Sequence, residues 1–323
     1  MLRKRTGSME QRGPFYQIVD GLPRCPNVDP VLVRKALNFK ASKGDLVQWS
    51  FPKSGTHWVQ YIIQLILNEG EGVENYDQFT RNTRPMEYVG VDDWRPALAL
   101  RCFVTHLQPQ PEFMSNEAKY VYVARNPWDV CVSLFHMVTN LSVYHFEDGT
   151  FDEFFEYFLN KDFGYGSYVD HVAKGYALRD RANVLFLTYE QLKREPRDTV
   201  LKLARFLGDR HVKIIEDGEN GLLARILELS SPSQMKSVIV MNLRSKEWEG
   251  MMTRNNMTCK DGYGGDCRKY SIVRNAQIGD WKNYFKPDQL QRFEAKIKAE
   301  GEKASFMDLW ADIRKEALEL AFS

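Results

Sequence analysis

Short apolar runs alternate with longer segments of helical period along most of this chain. L-V-Q-W-S-F, residues 46–51, follows Gly44 and reads as a buried strand. Beyond it Trp58, Val59, Ile62, Ile63 and Ile66 recur at helical spacing as far as Gly70, so the segment between them joins a strand to a helix. A-L-A-L-R-C-F-V predicts a second strand ending at Thr105 and His106, and K-Y-V-Y-V-A a third ending at Arg125. Asn126 then stands as a helix cap, with Pro127 at the first helical position and Asp129 in the first turn. N-V-L-F-L, residues 183–187, predicts a fourth strand that ends at Thr188 and Tyr189. Pro196 opens a further helix that Gly208 stops.

Continuous apolar strands separated by helices predict an α/β protein: a central, mainly parallel sheet flanked by helices, with a P-loop-like strand-loop-helix turn. Such sheets bind ligands at the carboxyl ends of their strands. Lys53, His106, Arg125 and Tyr189 each follow a predicted strand, so all four fall at that end. Residues 241–270 are rich in Gly, Asn, Met and charge without a period, and read as a long loop or lid reaching to about residue 280. No linker divides the chain. The expectation is a flexible tail over residues 1–15 and a single domain over 16–323.

Composition narrows the partners. The 323 residues carry a formal net charge of +1, without the basic bias of a nucleic-acid binder. The most apolar run, W-V-Q-Y-I-I-Q-L-I-L, is interrupted by Gln60 and Gln64, so no membrane span is expected. The basic, polar start M-L-R-K-R-T-G has no apolar stretch behind it, so no secretory leader is expected. The five cysteines are odd in number and show no C-x-x-C spacing, which favours a reducing, cytoplasmic setting. Cys102 and Cys131 read as buried apolar residues, whereas Cys259 and Cys267 share a Gly-rich loop in which pairing stays open.

The chemistry concentrates in F-P-K-S-G-T-H-W, residues 51–58. Backbone N–H groups of Ser54, Gly55 and Thr56 at a helix start suit an anion, Gly55 lets the backbone approach it, and Lys53 adds a full charge. Lys53 precedes the glycine, the reverse of the triphosphate loop G-x-x-x-x-G-K-[ST]. A plain turn with a solvated lysine is the simpler alternative.

This stretch resembles the Y-P-K-S-G-T-T-W loop of the cytosolic sulfotransferases, with His57 in place of a threonine. Y-V-A-R-N-P-W-D-V-C-V-S resembles that family's 3′-phosphate segment, and R-N-A-Q-I-G-D-W its R-K-G-x-x-G-D-W signature. The resemblance implies 3′-phosphoadenosine 5′-phosphosulfate (PAPS) as sulfuryl donor, adenosine 3′,5′-bisphosphate (PAP) as product, and no metal. It assigns donor binding to Lys53, Ser54, Gly55, Thr56, His57, Trp58, Arg125, Ser133, Tyr189, Arg274, Asn275 and Ala276. Asn275 and Ala276 replace a lysine and a glycine, and Pro232 stands where an aromatic would face Trp58 across the adenine.

His106 in F-V-T-H-L resembles the family's K-T-H-L, which makes it the implied general base; Val104 replaces the lysine. Lys53 and Ser133 complete the implied catalytic set, with Lys53 at the leaving oxygen and Ser133 restraining it. The acceptor is expected to be a small phenol or apolar alcohol, or an amine, between Phe135–Leu141, the G-Y-G-S-Y segment (residues 164–168) and a lid carrying Met251, Met252 and Met257. The family's dimer motif would fall on Lys282–Gln291, where only Lys282 matches, so a monomer or a differently built dimer is expected. A non-catalytic PAPS or PAP binder and a P-loop kinase are the alternatives.

Overall fold

A computed structural model describes residues 13–92, 94, 98–160, 163–217, 221–245 and 257–322. Its centre is a five-stranded sheet built from β3 (Asp45–Ser50), β4 (Thr83–Pro85), β5 (Arg101–Thr105), β6 (Lys119–Ala124) and β7 (Val184–Thr188). The spatial order is β4-β5-β3-β6-β7, and every pairing in it is parallel. Two antiparallel pairs lie outside it, β1 (Gln17–Val19) with β2 (Leu22–Arg24), and β8 (Val240–Asn242) with β9 (Lys269–Ser271).

The helices up to β7 are α1 (Pro30–Leu37), α2 (Thr56–Leu67), α3 (Tyr76–Asn82), α4 (Met86–Val89), α5 (Pro127–Asn140), α6 (Phe151–Asn160) and α7 (Tyr168–Ala177). Two more follow β7, α8 (Tyr189–Arg194) and α9 (Pro196–Leu207). Ile62, Ile63 and Ile66 of α2 are buried in the core, as are Val130, Cys131, Val132 and Leu134 of α5. Each such apolar side chain contributes about 1.5–3 kcal/mol on burial. β6 is buried along its length from Tyr120 to Ala124, as expected for a strand covered on both faces.

The strand order puts a switch point at β3. The chain leaves β3 toward α2, while its neighbours β5 and β6 flank it on opposite sides. Loops after these three strands therefore diverge and open a crevice at their carboxyl ends. The anticipated cap at Asn126 is present, its side chain accepting from the Asp129 N–H, and Thr188 closes a capping box with Gln191.

Two expectations need adjusting. The second strand starts at Arg101, four residues later than the apolar run suggests. Residues 257–271 of the expected lid are anchored: β9 pairs with β8, Ser142 N–H donates to the Thr258 carbonyl, and Met257 and Cys259 are buried. Met251 and Met252 lie outside the described residues. Of the expected tail, residues 1–12 also lie outside them, and Phe15 N–H donates to the Tyr144 carbonyl. The thiols of Cys259 and Cys267 are free, although Cys259 N–H donates to the Cys267 carbonyl.

Candidate active site

The crevice contains a cavity of about 240 Å³ lined by Lys53, Gly55, Thr56, His57, Trp58, His106, Arg125, Ser133, Tyr189, Arg274, Asn275 and Ala276. Those residues come from segments up to 223 positions apart in sequence and meet only because β3, β5, β6 and β7 share one edge. Ser54 is the one residue of the expected set behind the wall; it is buried and its Oγ has no partner.

The loop after β3 is shaped by its backbone. Lys53 and Gly55 have φ of 68° and 97°, and a Cβ at Gly55 would come within 2.8 Å of the Tyr189 ring. Only glycine fits there. At Lys53 the left-handed backbone is a local strain that the surrounding bonds hold in place. Gln48 Nε2 donates to the Thr56 carbonyl at 2.9 Å, and the Ser50 and Thr56 hydroxyls lie 2.7 Å apart. Ser54 N–H closes a turn onto the Phe51 carbonyl, so the open backbone donors are those of Gly55, Thr56 and His57.

Carboxylates compensate the cations of the cavity unevenly, with Asp129 lying 3.7 Å from Arg125. Among the described residues no carboxylate pairs with the Lys53 ammonium, and burial together with Arg125 and Arg274 pushes its pKa down to about 8. Arg125 donates to the Gln277 carbonyl at 2.8 Å and to the Lys53 carbonyl at 3.3 Å, while its guanidinium lies 4.3 Å from the centre of the Tyr189 ring. Arg274 pairs with Asp280. The Nε atoms of both arginines are buried without a partner. These unsatisfied groups are donors almost without exception, so the chemistry of the set fits an anion that brings several acceptor oxygens.

The loop carrying Arg274 is held by a residue whose role the sequence did not show. Asp129 is buried in the first turn of α5, and its carboxylate accepts from Gly279 N–H at 2.9 Å and Trp281 N–H at 3.2 Å. Asn126 bridges Asp129 to Glu190, and Glu190 accepts from the Trp310 indole. From the sequence Asp129 was legible only as a helix-start acid, because its partners lie 150 residues away. Ala276 in the same loop has a φ of 51°, a conformation that glycine would adopt without strain.

His106 is fixed on three sides. Its Nδ1–H donates to the Ser50 carbonyl at 2.9 Å, since a carbonyl can only accept. Its backbone N–H donates to Glu87 at 2.7 Å, and its carbonyl accepts from His171 Nε2–H at 3.2 Å. The imidazole tautomer is thereby set, and Nε2 is the basic nitrogen. Glu87 and His171 hold the strand end that carries His106, a contact that nothing in their sequence surroundings signals. His171 is fully buried against Tyr122, and burial pushes its pKa down to about 3.

His57 is equally well placed. Its ring stacks on Phe79 with centroids 5.7 Å apart, Nε2 lies 3.3 Å from the Tyr76 hydroxyl, and burial pushes its pKa down to about 3. Burial thus favours the neutral form of this wall residue. Trp58 meets Tyr189 edge to face at 5.4 Å, with Pro232 and Met235 lining the cavity beside them. Ser133 lines the same cavity as Lys53.

The rest of the cavity is a largely apolar chamber that includes Val104, Met137, Leu141, Tyr165 and Met257. Two expected wall residues are elsewhere. Phe135 packs against Phe151, Phe154 and Tyr284, and Tyr168 is buried with its hydroxyl on the Arg125 carbonyl. Helical period puts Phe135 two residues, about 200°, from Met137, so the two cannot share a wall. Among the described residues no three His, Cys, Asp or Glu side chains group as a metal site.

A basic crevice at the switch point of a parallel sheet, facing a fixed imidazole, suits group transfer from an anionic donor. The sulfotransferase domain family model matches residues 43–307, and the chain belongs to the sulfotransferase family. It is 32% identical to sulfotransferase 1C2 of Rattus norvegicus, with 85% of this chain and 89% of that one covered, and 31% identical to the Homo sapiens protein of that name, with 83% and 88% covered. The fold is similar to that of a mouse sulfotransferase, SULT7A1, complexed with PAP: TM-score 0.63, 23% identity, covering 95% of this chain and 99% of that one. A retinol dehydratase in a complex with retinol and PAP gives a TM-score of 0.64 at 22% identity, with 85% and 87% covered.

Proposed function

We propose that this sulfotransferase moves a sulfuryl group from PAPS to the hydroxyl of a small phenol or apolar alcohol. PAPS supplies the activated sulfuryl group and leaves as PAP. The observation that carries the reading is the pairing of two groups in one cavity: an ammonium at Lys53 without a carboxylate partner among the described residues, and an imidazole at His106 whose free nitrogen is the basic one.

His106 Nε2 takes the acceptor's hydroxyl proton as that oxygen bonds to sulfur. Lys53 and the open N–H groups of Gly55, Thr56 and His57 stabilise the oxygen released when the sulfur–oxygen bond breaks. Arg125, Ser133 and Arg274 hold the 3′-phosphate, with Asn275 and Ala276 contributing backbone beside it. Trp58 and Tyr189 contact the adenine, with Pro232 as a thinner opposing wall. Ser54 supports the loop from behind.

The acceptor screen with PAPS, run on wild type, His106→Ala and Lys53→Ala, tests this. Sulfate transfer that collapses in both variants is expected. Undiminished turnover in His106→Ala, or tight PAP binding with transfer to no acceptor, overturns it.

We further propose a cytoplasmic enzyme that acts without nucleic acid or membrane partners. No described helix is long and apolar enough to cross a membrane. In the segment where a family dimer motif would fall, Lys282 pairs with Glu316 and Lys286 with Asp152 of the same chain. A monomer or a differently built dimer is proposed, which light scattering on a sizing column would read directly.

A further inference from the structure

The carboxylate that holds the His106 peptide is only half committed. Glu87 Oε1 accepts from the His106 N–H at 2.7 Å, while Oε2 is buried without a hydrogen-bond partner. Glu87 itself is buried in the first turn of α4. A carboxylate oxygen taken out of water and left without a donor is costly, so a donor is due there.

A second orphan faces it. Arg24 ends β2, and its Nε is likewise buried without a partner. Arg24, Glu87 and His106 line one small cavity of about 10 Å³, with Tyr88 and Tyr165 on its wall. Among the described residues around that cavity, Arg24 carries the only guanidinium or ammonium. Burial pushes its pKa down and the Glu87 charge acts against that shift, so the two charges act on one another. The gap between them is about the room that one water needs. A water that donates to Glu87 Oε2 and accepts from Arg24 Nε–H satisfies both orphans at once.

Both partners are held in place. Gln17 pairs with Arg24 across β1 and β2, and a Cβ at Gly164 would come within 2.9 Å of the Arg24 carbonyl. An arginine that merely covered this hairpin would carry its polar atoms out to water. Here Nε lies inside, and Arg24 stands outside the lining of the main cavity.

We propose that Arg24 is a positioning residue for His106: through one bridging water its Nε–H holds Glu87, and Glu87 holds the peptide that carries the imidazole. Arg24 touches no reacting atom. Its effect on turnover rests on the reading of His106 as base given above, whereas its hold on the peptide does not.

The test uses Arg24→Met, which keeps length and bulk, and Arg24→Lys, which returns a charge and donors. Three quantities are read: transfer from PAPS to 4-nitrophenol, Kd for PAP, and hydrogen exchange at the His106 amide. Arg24→Met is expected to lower kcat by about tenfold, with KM for PAPS and Kd for PAP within about threefold of wild type. The His106 amide should exchange at least about tenfold faster while the paired amides of β5 keep their protection. Arg24→Lys should recover most of both effects. In a Glu87→Gln background, adding Arg24→Met should cost less than about twofold, because the link is already cut.

Wild-type exchange at the His106 amide in a folded Arg24→Met overturns the proposal. So does a rise in exchange spread evenly over β5, or a full Arg24→Met effect in the Glu87→Gln background. Faster exchange at His106 with kcat unchanged would sustain the hold on the peptide and sink His106 as the base. Should Arg24→Met not fold, a crystal structure of the wild type decides. A water within about 3.2 Å of both Arg24 Nε and Glu87 Oε2 sustains the proposal, and either atom bonded elsewhere overturns it.

Discussion

His106 Nδ1–H donates to the Ser50 carbonyl across 2.9 Å, and this bond between the ends of two neighbouring strands decides which imidazole nitrogen can act as a base. β5 and β3 run in parallel with Thr105 opposite Trp49, so the residue after each strand falls beside the other. Replacing His106 with alanine is expected to lower kcat by about 10²–10⁴. Affinity for PAP should change by less than about threefold, because no donor contact is assigned to the imidazole. Rates from stopped assays and Kd from calorimetry check the split.

Lys53 has a pH signature of its own. Its pKa in the folded protein, about 8, lies below the ordinary 10.5. A bound anion favours the ammonium, so PAP binding takes up a proton above pH 8, and affinity falls as pH rises through that value. The phosphates of PAP are ionised by neutral pH and do not interfere. Kd for PAP should weaken about tenfold between pH 7 and 9, and Lys53→Ala should flatten that slope. In the free protein the sign is opposite for stability: between pH 8 and 10.5 the unfolded chain binds more protons at this site, so its contribution rises with pH.

His171 makes the fold sensitive to acid. Its pKa is pushed down from 6.5 to about 3 by complete burial, so below pH 6.5 the unfolded chain binds a proton that the folded one refuses. Stability is therefore lost as pH falls, by about 2 kcal/mol from this residue between pH 6.5 and 5. Urea midpoints at the two pH values test it. His57, also pushed to about 3, should show no titration of its ring resonances between pH 5 and 8.

Ala276 holds a φ of 51° in the loop behind Arg274. Replacing it with glycine removes a left-handed strain of about 1–2 kcal/mol and adds a chain-entropy cost of about 0.5–1 kcal/mol. A net gain in stability below about 1 kcal/mol is expected, without loss of PAP affinity. Thermal melts decide it; a Tm below that of wild type would show that the methyl group packs usefully.

Asp129 clamps the same loop from α5 through Gly279 and Trp281. Asp129→Ala leaves two backbone donors without acceptors at a cost of about 2–4 kcal/mol. The loop carrying Arg274 should then open, weakening PAP at least about tenfold, the more so if Asp129→Asn restores part of it. Preserved PAP affinity in a folded Asp129→Ala would show that the loop is held by other means.

The order of elements was legible because burial on both faces makes parallel strands run apolar without a break, and because punctuation was explicit. Asn126 with Pro127 started one helix, and Gly208 stopped another. The short strands Thr83–Pro85, Val240–Asn242 and Lys269–Ser271 carry too few residues to show a period, and were invisible. The loop after β3 was legible because its backbone needs glycine at one position and a lysine stands beside it, both local features.

Sequence alone therefore determined the α/β class, the strand-loop-helix turn and which loops converge, since hydrophobic period and turn chemistry act over a few residues. Only the tertiary structure decided that Asp129 grips Gly279, that Glu87 and His171 hold the peptide of His106, and that burial favours the neutral form of His57. It also moved Phe135 and Tyr168 off the chamber wall and brought Tyr88, Tyr144 and Tyr165 together onto it. These outcomes depend on pairs of residues far apart in the chain, whose distances and dry surroundings exist only once the sheet has set its strand order.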